Sequence, residues 1–162
     1  MDTSMAVVTI GAGATALVDL WTIVRARVLG VKAPDYALVG RWFAHMPRGR
    51  FRHPSIAASA SLPGERAVGW IAHYATGVVF AALLVEFAGD EWVSTPTFLP
   101  ALAMGAATVA APFLLMQPAM GAGIAASRTP RPAAARLHSV VTHLVFGVGL
   151  YLSAWLTSAT LR

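Results

Sequence analysis

Four long apolar runs, at about 5–27, 66–87, 97–126 and 136–161, constrain this chain more than any other feature. Each approaches the roughly 20 apolar residues needed to cover the hydrocarbon core of a bilayer. The runs are rich in Ala, Leu and Val and do not alternate in polarity, so they predict transmembrane helices and not barrel strands. Composition agrees: 57% of residues are hydrophobic and 12% charged, whereas soluble domains lie nearer half apolar and about a quarter charged. The expected fold is all-α, a four-transmembrane-helix bundle forming a single membrane domain over 1–162. The N-terminus, MDTSMAVV, has an acidic residue and no basic n-region. A cleavable signal peptide is therefore not expected, and the first run should stay in the mature protein. The chain has no cysteine, which excludes disulfides, a CxxC redox pair and thiolate metal sites.

Charge placement sets an orientation. The connection after the first run carries Lys32, Arg41, Arg48, Arg50 and Arg52, and the third carries Arg128, Arg131 and Arg136. The second carries Glu86, Asp90 and Glu91 and no Lys or Arg. By the positive-inside rule the first and third connections are cytoplasmic and both termini face outward, with Arg162 a minor exception. The net charge of +5 thus marks topology, and nucleic acid is not an expected partner.

The first connection, 28–65, is too long for a plain turn. Within it, DYALVGRWFAHM spaces Tyr36, Val39, Phe43 and Met46 as on a helix, with Arg41 and His45 on a polar side. A short helix in the membrane interface is expected. The following PRGRFRHPS, which includes His53, is basic and turn-rich and would meet anionic lipid head groups. Each such Lys or Arg contributes about 1 kcal/mol near the surface. Topology and lipid contact are the plainer reading of this loop; a substrate or partner site at Arg41, His45 and His53 is the sharper one.

Polar residues inside the runs are informative because they are costly there. Asp19 lies eight residues before Arg27, His73 seven beyond Arg66, Gln117 nine before Ala126 and His143 seven beyond Arg136. At about 1.5 Å per residue, each sits roughly 10–14 Å from the inner boundary. A shared polar layer in the inner leaflet is expected. Gly11, Thr15 and Asp19 recur every four residues, as do Gly69, His73 and Gly77, and His143, Gly147 and Tyr151. Such small and polar stripes turn a helix face toward the bundle. In LLMQPAMGAG, Pro118 removes the donor for the Leu114 carbonyl, next to Gln117 and Met116.

Several chemistries could use the layer. Asp19, His73, His143, Gln117 and Met116 could bind or transport a small solute, proton or metal ion. Candidate partners for Asp19 are His73, His143 and Arg25. Met and His suit a soft metal such as copper, and His with Asp a harder divalent ion. His73 and His143 could be axial ligands of a haem. Asp19 and a histidine could serve as acid and base in a lipid-modifying enzyme, although no nucleophile elbow, phosphate loop or HExxH supports one. The layer could also be polar glue in a non-catalytic accessory subunit of a larger membrane complex. The Gly/Ala-rich faces would also suit a homo-oligomer.

With these segments assembled, the chain resembles the DUF2938 family, bacterial integral membrane proteins of unknown function. The resemblance rests on GAGATALVDLW, VGRWFAHMPRGRFRHPSI, PGERAVGWIAHYATG, APFLLMQPAMGAGIAASRTP and RLHSVVTHLVFGVGLYLSA. It implies a polytopic protein of the bacterial inner membrane with four helices, and carries over no functional residue.

Overall fold

The first helix, α1 (Thr3–Leu29), starts where the Asp2 carboxylate accepts from the Met5 amide at 2.8 Å and stops at Gly30, φ 62°. A left-handed residue closing a helix is where glycine is favoured. The structure is a computed structural model that describes residues 2–160; these are helical or in turns and loops, with no strand among them. After α1 come α2 (Tyr36–His45), α3 (Glu65–Ala88), the short α4 (Glu91–Ser94), α5 (Phe98–Thr108), α6 (Gln117–Ala119) and α7 (Pro132–Thr160). The short helix expected in the first connection is α2, capped by Asp35.

Among the described residues, four helices are long and apolar enough to cross a membrane: Thr3–Leu29, Glu65–Ala88, Phe98–Ala119 and Pro132–Thr160. Their most apolar windows are only 39, 28, 17 and 33% buried. Val28, Ile71, Phe87 and Leu99 stand between 69 and 78% exposed. In water that surface would cost about 25 cal/mol per Å²; a lipid environment removes the cost. The chain is a multi-pass membrane protein on this pattern.

The expected runs match these helices closely except in the third. That run, expected to reach Ala126, ends as a helix at Ala119. Beyond it Gly121 (φ 97°) and Gly123 (φ 76°) turn the chain, and Ile124–Ala126 forms only a 3-10 turn. The fourth run was expected to extend to Leu161, which lies outside the described residues. Between α5 and α6 the helix widens into a π-helical stretch, Ala111–Met116, where the Gln117 amide bonds the Pro112 carbonyl five residues back. Pro112 and Pro118 cannot donate, and a π-register is a known way to absorb such a break.

The chain divides into two compact units. One takes Tyr74–Thr108 together with the chain up to Ala33 and from Val141 onward; the other takes Pro34–His73 and Val109–Val140. In the first unit four helical segments pack through small residues around Ile10, Val18, Leu84, Phe146 and Leu150. A Cβ on Gly11 would lie 2.5 Å from Val78 Cα, and one on Gly149 2.9 Å from Ala14 Cα. A Cβ on Gly105 would lie 2.5 Å from Gly147 Cα and 2.6 Å from the His143 carbonyl. These are backbone-to-backbone contacts, which only small residues permit.

The second unit has its own apolar cluster of Trp42, Ile56 and Ala119, flanked by Leu38, Met46, Met116 and Met120. The 49–64 loop docks onto the turn after α6 through His53 N to Ala119 O (2.8 Å) and Ile56 N to Met120 O (3.1 Å). Gly121 meets the carbonyls of His53 and Pro54, which leaves no room for a side chain.

Gly105→Val should destabilise the protein by about 1–3 kcal/mol, the usual cost of overpacking. Ala75→Leu, at an exposed position, should leave thermal unfolding in detergent close to wild type. Equal melting temperatures for the two variants would contradict the close α5–α7 approach.

Candidate functional site

Asp19 and His143 both belong to the first unit. The pairs Gly13–Ser153 and Ala14–Gly149 set an antiparallel register between α1 and α7. That register brings Asp19 level with the turn of α7 that holds His143. Asp19 Oδ2 accepts from the Tyr74 hydroxyl at 2.9 Å. The tyrosine follows His73, the partner expected from sequence, and extends the reach of α3 toward α1. Thr108, the last residue of α5, donates its hydroxyl to the Gly105 carbonyl at 2.7 Å and lies 2.7 Å from His143 Nδ1. A threonine has one hydroxyl proton, so His143 donates through Nδ1–H and, when neutral, keeps its lone pair on Nε2. Tyr74 and Thr108 carry no charge and look ordinary in an apolar run; only the helix register reveals them. Arg25, another expected partner for Asp19, is buried at 5% exposure with its Nε unpartnered among the described residues.

The remaining expected residues of the layer fall in the second unit. His73 Nε2 lies 3.0 Å from the Tyr36 hydroxyl, and the two rings stack with centroids 4.2 Å apart. Tyr36, read from its spacing as an apolar position of α2, thus faces a histidine. Gln117 Nε2 lies 3.5 Å from Ser139 Oγ, at the long edge of hydrogen bonding. Its Oε1 is buried and unpartnered among the described residues. Met116 packs into the cluster around Trp42. No group of three or more His, Cys, Asp or Glu among the described residues is arranged to hold a metal ion.

The loop residues are more enclosed than their basic, turn-rich sequence implies. Arg41 grips Glu65 with Nε on Oε2 (2.9 Å) and Nη2 on Oε1 (2.8 Å). Its Nη1 donates to the carbonyls of Ile56, Ala57 and Ser59 at 3.0–3.3 Å. Both side chains are mostly covered, 13% and 15% exposed. The hydrogen-bonded Glu65 carboxylate holds the Arg41 guanidinium above its ordinary value. Glu65 Oε2 also accepts from the Leu62 amide at 2.9 Å. One planar fork therefore ties α2, the loop and the start of α3 together, a task that suits arginine and not lysine. His45 and His53 are each only 3% exposed. Sequence placed His45 on a polar side of the helix and His53 in a stretch meeting head groups; both are interior. Arg50 and Arg52, beside His53 in sequence, are exposed as expected.

A cleft of about 320 Å³ opens beside this network, lined by Pro34, Asp35, Tyr36, Ala37, Arg66 and Trp70.

The family model described as "Protein of unknown function (DUF2938)" matches residues 8–157. No curated protein and no solved structure matches the chain.

Arg41→Lys should leave the helices in place and free the 49–64 loop, because a single ammonium cannot reproduce the fork. Limited trypsin digestion of protein in detergent should cleave after Arg50 and Arg52 several-fold faster in the variant. Unchanged cleavage would show that the loop is held by other contacts.

Proposed function

The chain belongs to the DUF2938 family, and from its own geometry we propose that it binds a proton, coupled to a small solute, through Asp19 and His143 in the inner leaflet. In this reading it is a multi-pass protein of the bacterial inner membrane. The arginine-rich connections face the cytoplasm and both termini lie outside, as the charge asymmetry supports.

The observation that carries the proposal is the choice of partners. Asp19 and His143 are each bonded to a hydroxyl. A hydroxyl both donates and accepts. Tyr74 can donate to the Asp19 carboxylate and accept from the carboxylic acid, so the contact survives a change in protonation. His143 keeps its Nδ1–H bond to Thr108 whether neutral or cationic, and its proton is gained and lost at Nε2. Two titratable groups at one level can thus change charge without breaking their anchors, which is what a proton site needs. A metal ion is not part of this reading for Asp19 and His143.

A second reading, an accessory subunit whose polar groups join helices, draws on the same bonds. Satisfied interhelical hydrogen bonds are also what a structural role requires.

Infrared difference spectroscopy of the protein in lipid, recorded between neutral and acid pH, separates the two. Beside the signal common to the other Asp and Glu residues, one protonated-carboxyl component that appears on acidification in wild type should be missing in Asp19→Asn and shift in Tyr74→Phe. Proteoliposomes holding a pH-sensitive dye should lose most solute-dependent proton movement in His143→Ala. Superimposable wild-type and Asp19→Asn difference spectra, with only a lower melting temperature in the variant, would leave the accessory role standing.

A further inference from the structure

The histidines of the first connection form a pair that the proton site does not use. The His45 and His53 rings lie 5.1 Å apart, centroid to centroid, at 61°. Each is 97% removed from contact with solvent, being 3% exposed. Their hydrogen bonds fix which nitrogen carries the proton. His45 Nε2 lies 3.1 Å from the Ala60 carbonyl, which only accepts, so Nε2 holds the hydrogen and, in the neutral ring, Nδ1 the lone pair. His53 Nδ1 lies 2.9 Å from Ser59 Oγ, and that hydroxyl donates to the Ser55 carbonyl. Nδ1 of His53 therefore donates, and Nε2 holds the lone pair.

The two nitrogens left over, His45 Nδ1 and His53 Nε2, are buried and have no hydrogen-bond partner among the described residues. A buried polar atom without a partner costs about 1–3 kcal/mol. Two of them on adjacent rings, both acceptors, call for a shared electron-poor occupant. The outer hydrogen bonds to a carbonyl and a hydroxyl are the kind that orient metal-binding imidazoles and raise their basicity.

The surroundings select the ion. Trp42 and Ile56, each three residues from one histidine, belong to the apolar cluster flanked by the thioethers of Met46, Met116 and Met120. Both oxygens of Glu65 are engaged by Arg41 and the Leu62 amide. A hard or strongly charged dication would be buried there without a free carboxylate to balance it. A soft monocharged ion is satisfied by imidazole and thioether ligands and needs few of them. We infer that His45 and His53 form a binding site for a soft monovalent metal ion, copper(I), with the methionines of the neighbouring apolar cluster as its source of sulfur.

The test is anaerobic titration of the purified full chain in detergent with copper(I), buffered by a chromophoric chelator. One copper(I) should be retained per chain, with silver(I) able to replace it. His45→Asn and His53→Asn should each weaken retention by at least about 100-fold, and His138→Asn, on α7 and outside the pair, should not. X-ray absorption on wild type reads the ligands without any variant: imidazole nitrogen together with at least one sulfur is expected. Wild type that retains no copper(I), a bound copper lacking imidazole ligands, or undiminished retention in folded His45→Asn and His53→Asn overturns the site. It shares no residue with the Asp19 and His143 pair, so either proposal can fail while the other stands.

Discussion

Close approach of helix backbones is the constraint on which the first unit depends. Lipid tails are as apolar as leucine, so burial of large side chains gives membrane helices little reason to associate. Contact area and hydrogen bonding must do it instead. At Gly11 against Gly77 and Val78, Ala14 against Gly149, and Gly105 against Gly147, one backbone lies directly on another. Thr15 fits the same groove, its hydroxyl returned to the Gly11 carbonyl at 2.8 Å. At these separations Asp19 and Tyr74 reach each other, and so do Thr108 and His143. Spreading the helices by the width of one methyl group would break both bonds before it exposed the core.

The second unit is organised by a different force. Its helices are short or interrupted, and its apolar cluster is small. Hydrogen bonds to the backbone of the 49–64 loop supply the order: Arg41 to three carbonyls, Trp42 Nε1 to the Phe51 carbonyl at 2.9 Å, and His45 to Ala60. A buried loop is admissible only when its carbonyls and amides find such partners. The prolines of the third span serve the same end. They widen the helix into a π-register, and where it ends at Ala119 and Gly121 turns the chain, the carbonyls of Ala119 and Met120 accept from His53 and Ile56.

The parts of this architecture that were legible in the sequence are those written in composition and charge. Four spans follow from run length, and α2 from the spacing of Tyr36, Val39 and Phe43 between Asp35 and Pro47. Asp19 and His143 announce themselves because a titratable side chain in an apolar run has few innocent explanations. Their partners were not legible. Tyr74 and Thr108 are commonplace in membrane helices, and only the register set by glycines on neighbouring helices selects them. His53 was misread for a related reason. Three arginines within six residues of it, Arg48, Arg50 and Arg52, make the segment look solvated, and nothing local reveals that a backbone bond to Ala119 carries its ring inside. The early stop of the third span was masked in the same way, because MGAGIAA stays apolar while its glycines turn the chain.

The contrast between the two kinds of polar site follows from the solvent around each. A group inside a lipid-embedded helix has no water to fall back on, so Asp19 and His143 hold hydroxyl partners on adjacent helices. The 49–64 loop is held by donors from Arg41 and Trp42, and its Ala60 carbonyl and Ser59 hydroxyl bond the outer nitrogens of His45 and His53. A rigid loop of that kind can leave two inner lone pairs unmatched and still keep its fold, because the cost falls on two atoms while many backbone bonds oppose rearrangement. Histidine is therefore anchored to a hydroxyl on a neighbouring helix in one unit and, in the other, to groups of the 49–64 loop that leave an inner nitrogen without a partner among the described residues.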